Sequence, residues 1–249
     1  MGCESMGMND MVRFIREMTG KLGSDIYGGI QTQSNPQQIS FLRQLQKEMK
    51  QTNILDCPLE KLNIVVFDLE TTGFNPDKGD KIISIGAVKM VGSIINEEET
   101  FYSLVNPEIP LPEYISRLTN ITEEQLAGAP SASEVLLDFY KFIGSSVLVA
   151  HHARHEQAFM KKLSSSLLRM NFDHRVIDTS FLIRLFQPAA PTLQLEEICN
   201  ECGVEVSGRH HALSDSMMTA KVWSFYIEKA HEHGYTNLRE IYEFLSRLR

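Results

Sequence analysis

The chain has 249 residues, 43% hydrophobic and 22% charged, with a formal net charge of −8 at pH 7. That length holds one sizeable α/β domain plus an appendage, and no apolar run approaches the roughly 20 residues of a membrane span, so no membrane association is expected. The acidity argues against tight, non-specific duplex binding through a basic patch, but not against an enzyme that meets phosphates through metal ions.

The N-terminus, MGCESMGMND, lacks the basic region and apolar core of a secretory signal. Met6 stands where a myristoylation pattern wants Ser or Thr. A cytoplasmic protein is expected. MNDMVRFIREMTGKL has helical spacing, with Met11, Phe14, Ile15 and Met18 on one face. After the polar GGIQTQSNPQQ, ISFLRQLQKEMK predicts a second amphipathic helix. Residues 1–60 therefore read as a helical N-terminal extension. It either packs on the main domain or serves as a docking arm for a polymerase or other protein partner.

The main domain occupies 61–249. Strands are predicted at 64–68, 81–90 and 97–105, and their short connections make them antiparallel neighbours. A loop with short helices follows, in which Thr122 should cap ITEEQLAG. A helix is predicted at 133–143, a buried strand at 146–150, a helix at 156–168 and a short strand at 175–177. The rest is mostly helical: 181–186, 193–201, a long helix from Leu213, and 238–247. Strands first, then strand–helix alternation, give a mixed α/β sheet flanked by helices. Four cysteines make no disulfide framework. Cys199 and Cys202 form a C-x-x-C without a second pair to complete a zinc site, so they belong to the buried face of the helix LEEICNEC.

Three blocks carry chemistry. The first is FDLETTG. Asp68 and Glu70 stand two apart on an apolar strand, so both project to one face. Paired carboxylates there are costly unless a cation compensates them, and their spacing suits one. Thr71, Thr72 and Gly73 follow, and glycine lets a ligand approach the backbone. The second block, LVAHHARHEQAF, puts polar residues straight after a buried strand, with Glu156 in the first turn of the next helix. The third, GRHHALSDSMMTAKVW, puts Asp215 near the apolar face of a long helix, with His210 in the loop before it.

In order and spacing, these blocks resemble the DEDD exonucleases, and within them the histidine-bearing branch typified by the proofreading subunit of bacterial DNA polymerase III. The resemblance covers about residues 63–230. It implies a ribonuclease H-like mixed five-stranded sheet and two divalent cations, Mg²⁺ or Mn²⁺. It makes Asp68, Glu70, Glu156 and Asp215 metal ligands and His210 the general base. An unperturbed imidazole titrates near pH 6.5, which suits that role. Thr71, Thr72 and Gly73 would meet the terminal nucleotide, and His151 and His211 are further substrate-contact candidates.

The second block departs from the family's H-N-A-x-F-D. His152 replaces Asn, His155 replaces Phe and Glu156 replaces Asp. The longer Glu156 side chain could shift the second ion, weakening activity or favouring Mn²⁺. The expected activity is 3′→5′ hydrolysis of phosphodiesters at single-stranded or frayed DNA 3′ ends, releasing nucleoside 5′-monophosphates. Two alternatives stand beside it: a silent module that binds nucleic-acid ends or a polymerase, and an RNA exonuclease. A zinc hydrolase is disfavoured because H-E-x-x-H is absent. Asp178, at a strand end, reads as a cap for the next helix.

Overall fold

The apolar run that opens the main domain has no polar face, which requires cover on both sides of the sheet. The computed structural model shows that cover; it describes residues 36–51, 53–188 and 193–248. The first predicted helix lies outside the described residues. The second is α1 (Pro36–Gln51), and it buries Leu42 and Leu45 against the domain. Residues Pro36–Arg249 form one compact unit.

Strand β1 (Asn63–Thr71) pairs antiparallel with β2 (Ile82–Val91), which pairs antiparallel with β3 (Ile94–Leu104). After α2 (Glu113–Thr119), α3 (Glu123–Ala127) and α4 (Ala132–Ile143), strand β4 (Val147–Ala150) joins the other side of β1 in parallel. Then come α5 (Arg154–Leu163), β5 (Val176–Asp178) parallel to β4, α6 (Ser180–Phe186), α7 (Leu195–Glu201), α8 (Ala212–Glu232) and α9 (Leu238–Arg247). The five-stranded order is β3-β2-β1-β4-β5.

Successive residues of β1 feed opposite layers. Ile64 and Val66 pack with Val88, Val149, Leu182, Ile198, Val222 and Trp223. Val65, Phe67 and Leu69 pack with Leu136, Phe139, Phe159 and Met160. Asp68 and Glu70 continue the first series, so they face the α8 layer. The parallel strands β1, β4 and β5 all end at the same edge of the sheet.

Three details differ from, or sharpen, the sequence reading. The helix expected at 156–168 is α-helical only to Leu163, and Ser164–Leu168 widens into a π turn. The hydroxyls of Ser165 and Ser166 donate back to the carbonyls of Lys162 and Leu163, and such side-chain bonds compete with the helical ladder. Strand β3 starts three residues early, because Gly92 at φ 60° makes a tight hairpin back from Val91. Thr122 caps α3 as expected, in a reciprocal capping box with Gln125.

Cys199 is buried in the core, and burial pushes the Cys199 and Cys202 thiols up to about 11, as suits packing groups rather than reactive ones.

Candidate active site

The end of β1 builds the first wall. The ladder with β2 shifts register between Glu70 and Thr71, where the chain leaves the sheet. Thr72 then closes a loop: its N–H donates to the Lys81 carbonyl at 2.8 Å, and its hydroxyl accepts from the Lys81 N–H at 2.9 Å. The Thr71 hydroxyl donates to the Gly73 carbonyl at 2.7 Å. Gly73 leaves room for the Asp80 side chain, since a Cβ there would lie 2.5 Å from its carboxylate and push it aside. The 71–73 backbone is thus fixed by its own hydrogen bonds.

The second wall follows β4. Asp178, at the end of β5, accepts from the Ala153 N–H at 2.7 Å and from the Ser180 N–H at 2.8 Å. It therefore holds the starts of both α5 and α6, which extends the expected capping role to a second helix. Glu156, in the first turn of α5, is only 4% exposed, and its Oε2 has no hydrogen-bond partner. Burial pushes its carboxyl up to about 8, with the charges of Asp178 and Glu70 adding to the rise. His151 has both ring nitrogens engaged: Nδ1 lies 2.7 Å from the Thr179 hydroxyl and Nε2 lies 3.0 Å from the Leu193 carbonyl. Only Nε2 faces an obligate acceptor, so the neutral tautomer with its proton on Nε2 fits. His155 Nε2 lies 3.3 Å from the Thr71 hydroxyl, tying this wall to the first.

The third wall is the loop entering α8. Asp215 is 3% exposed. Its Oδ2 accepts from the Arg209 guanidinium and, at 3.1 Å, from the His210 N–H, while its Oδ1 has no partner. Arg209 also donates to Glu196 at 2.7 Å. Glu70, His210 and Asp215 each bring one potential ligand atom within 4.8 Å of the others. Asp68 stands outside that trio but within its field. Burial and the charges of Glu156, Glu70 and Asp215 push the Asp68 carboxyl well above the usual range, and Arg209 only partly opposes them. Burial and Asp215 push Glu70 up to about 7 against the same Arg209.

Among the described residues, four carboxylates share a single neighbouring guanidinium, which leaves negative charge unbalanced, and two buried carboxylate oxygens are orphaned. Buried polar atoms without partners call for an explanation, and a hard cation with oxygen ligands supplies one. The donor set fits divalent metal ions.

The comparisons with known proteins decide the family. A family model described as Exonuclease (RNase_T) matches residues 65–223. The chain belongs to this exonuclease family. The chain is 35% identical over 165 residues to the DNA polymerase III subunit epsilon of Aquifex aeolicus, covering 66% of this chain and 80% of that one. It is 38% identical over 185 residues to a PolC-type DNA polymerase III of Clostridium perfringens. That match covers 72% of this chain but only 12% of the polymerase. Among solved structures, exonuclease X in complex with 5′ overhanging duplex DNA aligns with a TM-score of 0.55 at 22% identity, over 72% of this chain and 98% of that one. The mixed sheet with helices on both faces is the ribonuclease H-like arrangement of these nucleases. Exonucleases of this family use divalent metals, in keeping with the donor set described above.

Sequence reasoning passed over two residues that the geometry brings forward. Arg209 lies inside a quoted block, but no spacing rule marks an arginine before a histidine. Tyr102 becomes visible only through strand register.

Proposed function

We propose that the exonuclease shortens single-stranded or frayed DNA from its 3′ end, releasing nucleoside 5′-monophosphates, with two divalent cations and His210 as general base. The convergence of Glu70, His210 and Asp215, beside the orphaned oxygens of Glu156 and Asp215, is the observation that carries this reading. Asp68, Glu70, Glu156 and Asp215 would hold the ions. When bound, these ions oppose the charge on the scissile phosphate and on the oxygens that enter and leave it. His210 takes a proton from the attacking water. The new P–O bond forms as the bond to the 3′ oxygen breaks, and that oxygen leaves with a proton as the shortened strand.

The fixed backbone of Thr71, Thr72 and Gly73 meets the terminal nucleotide. Phe74 and Tyr114, 80% and 61% exposed, flank that loop, and the Tyr114 hydroxyl lies 3.4 Å from the Thr72 carbonyl. Exposed aromatic faces suit stacking of unpaired bases. His151, held through both nitrogens, shapes the substrate side from behind; His211 lies beside the reacting groups. DNA is favoured over RNA because the ETTG block and the polymerase relatives point that way. A polymerase or other protein partner, engaged through the N-terminal extension, belongs to the same reading, as does a cytoplasmic location. No described helix is long and apolar enough to cross a membrane.

A gel assay tests the core of this reading. Matched 5′-labelled single-stranded DNA and RNA oligomers are incubated with Mg²⁺, Mn²⁺ or EDTA. A ladder shortening from the 3′ end is expected with either metal, stronger on DNA and absent in EDTA. No shortening under any metal, with Mn²⁺ still bound, would leave a silent binding module instead.

Glu156 provides a second expectation. It has one methylene more than the aspartate the family places there, which favours the less demanding geometry of Mn²⁺. In Glu156→Asp, the ratio of Mn²⁺- to Mg²⁺-supported rates should fall about tenfold, within the ~10² that a 1 Å misplacement can cost. An unchanged ratio would remove Glu156 from the surroundings of the ions.

A further inference from the structure

We propose that Tyr102, on the edge strand and supplying no ligand, is a positioning residue for His210. Its ring clamps His211 and so holds the His210 peptide in place. The inference rests on the reading of His210 as general base.

Register places Tyr102 there. Asp68 pairs with Gly86, and Gly86 pairs with Tyr102, so the three form one row across β1, β2 and β3. Directly paired residues share a sheet face. The middle of the row has no side chain, and the first turn of α8 sits in that gap. A Cβ on Gly86 would lie 2.1 Å from the Leu213 nitrogen. The Ser216 hydroxyl lies between the Gly86 carbonyl at 2.8 Å and the Ala212 carbonyl at 2.6 Å, so its one proton serves both the seat and the helix. Asp68 stands on one side of it and Tyr102 on the other.

His211, the residue before α8, lays its ring on Tyr102 with centroids 4.5 Å apart and planes inclined by 20°. Nδ1 of His211 is buried without a hydrogen-bond partner. This ring is therefore held by its face. Tyr102 itself is 40% exposed, so filling the core does not account for its ring.

The residue between these anchors is under strain. His210 has φ 62°, a left-handed conformation that few non-glycine residues adopt, and Gly208 shares it. Such a conformation persists where its surroundings over-determine it, and it clusters at functional sites. On the N-terminal side, Arg209 is tied to Glu196 and Asp215. On the C-terminal side, the anchors are the Tyr102–His211 stack and the seat on Gly86. Without the stack, the His211 ring loses its anchor, and the C-terminal side of the His210 peptide is left with backbone seating on Gly86.

The experiment compares Tyr102→Ala and Tyr102→Phe by hydrogen exchange of residues 208–215 and by steady-state cleavage of a DNA oligomer. Tyr102→Ala should speed exchange in that segment about tenfold and lower kcat at least tenfold, with KM and Mn²⁺ affinity within about twofold. Tyr102→Phe, which keeps the ring, should restore both. Unchanged exchange in Tyr102→Ala overturns the clamp, as does acceleration spread over the whole domain or a Tyr102→Phe variant as impaired as Tyr102→Ala. Should the wild type cleave nothing, the exonuclease reading fails on its own, and the exchange comparison still decides whether Tyr102 holds the loop.

Discussion

An Asp68→Asn variant loses about 10²–10³-fold or more in cleavage rate, yet its metal-free form melts a few degrees higher than the wild type at pH 8. The two effects have one cause. Asp68 is buried among Glu156, Glu70 and Asp215, and burial first, then their charges, raise its carboxyl. With cations absent, that crowding opposes folding, and an isosteric neutral side chain relieves it. In the proposed mechanism the same carboxylate is a ligand when cations are present, and asparagine removes its charge from the place where the phosphate must be opposed. Stability given up for function is the usual bargain at such sites. Single-turnover cleavage and thermal melting in EDTA measure the two halves. Full activity in the variant would remove Asp68 from the ligand set. A lower melting temperature would make it a structural residue.

In EDTA, the melting temperature should fall by about 10 °C between pH 5.5 and 8.5, and millimolar Mg²⁺ or Mn²⁺ should abolish most of that fall. Glu156 titrates at about 8 and Glu70 at about 7, each above the 4.5 of an ordinary glutamate. A carboxyl raised by folding holds its proton in the native state and releases it on unfolding. Its stabilising contribution is complete below about pH 4.5 and is lost as the pH rises through 7 and then 8. Divalent cations replace those protons as counter-charges. Melting scans across pH, with and without metal, read the effect directly. A flat profile in EDTA would mean that the carboxylates are farther apart in solution than the geometry shows. A metal-insensitive profile would mean that they do not share a cation.

The sequence alone determined the fold class and marked the residues proposed to carry the chemistry. Hydrophobic runs and their punctuation located β1 and β4, because a strand covered on both faces must be apolar throughout. Asp68 and Glu70 were legible for the converse reason: charge inside such a run needs compensation. Asp215 was legible because a carboxylate near an apolar helix face has the same need. Local chemistry also supplied Thr122 as a cap. The π turn at Ser164–Leu168 escaped, because serine hydroxyls returning to nearby carbonyls leave no periodic mark.

Only the tertiary structure decided how the three walls meet. That Glu70, His210 and Asp215 converge, and that Asp68 stands beside them, depends on the seating of α8 against Gly86, while the parallel placement of β4 next to β1 brings Glu156 to the same edge. Arg209 and Tyr102 acquire meaning only there. One is defined by two carboxylates distant from each other in sequence, the other by a row of residues across three strands. Pattern along a chain records which side chains must be buried. Register and helix seating decide which of those side chains come into contact.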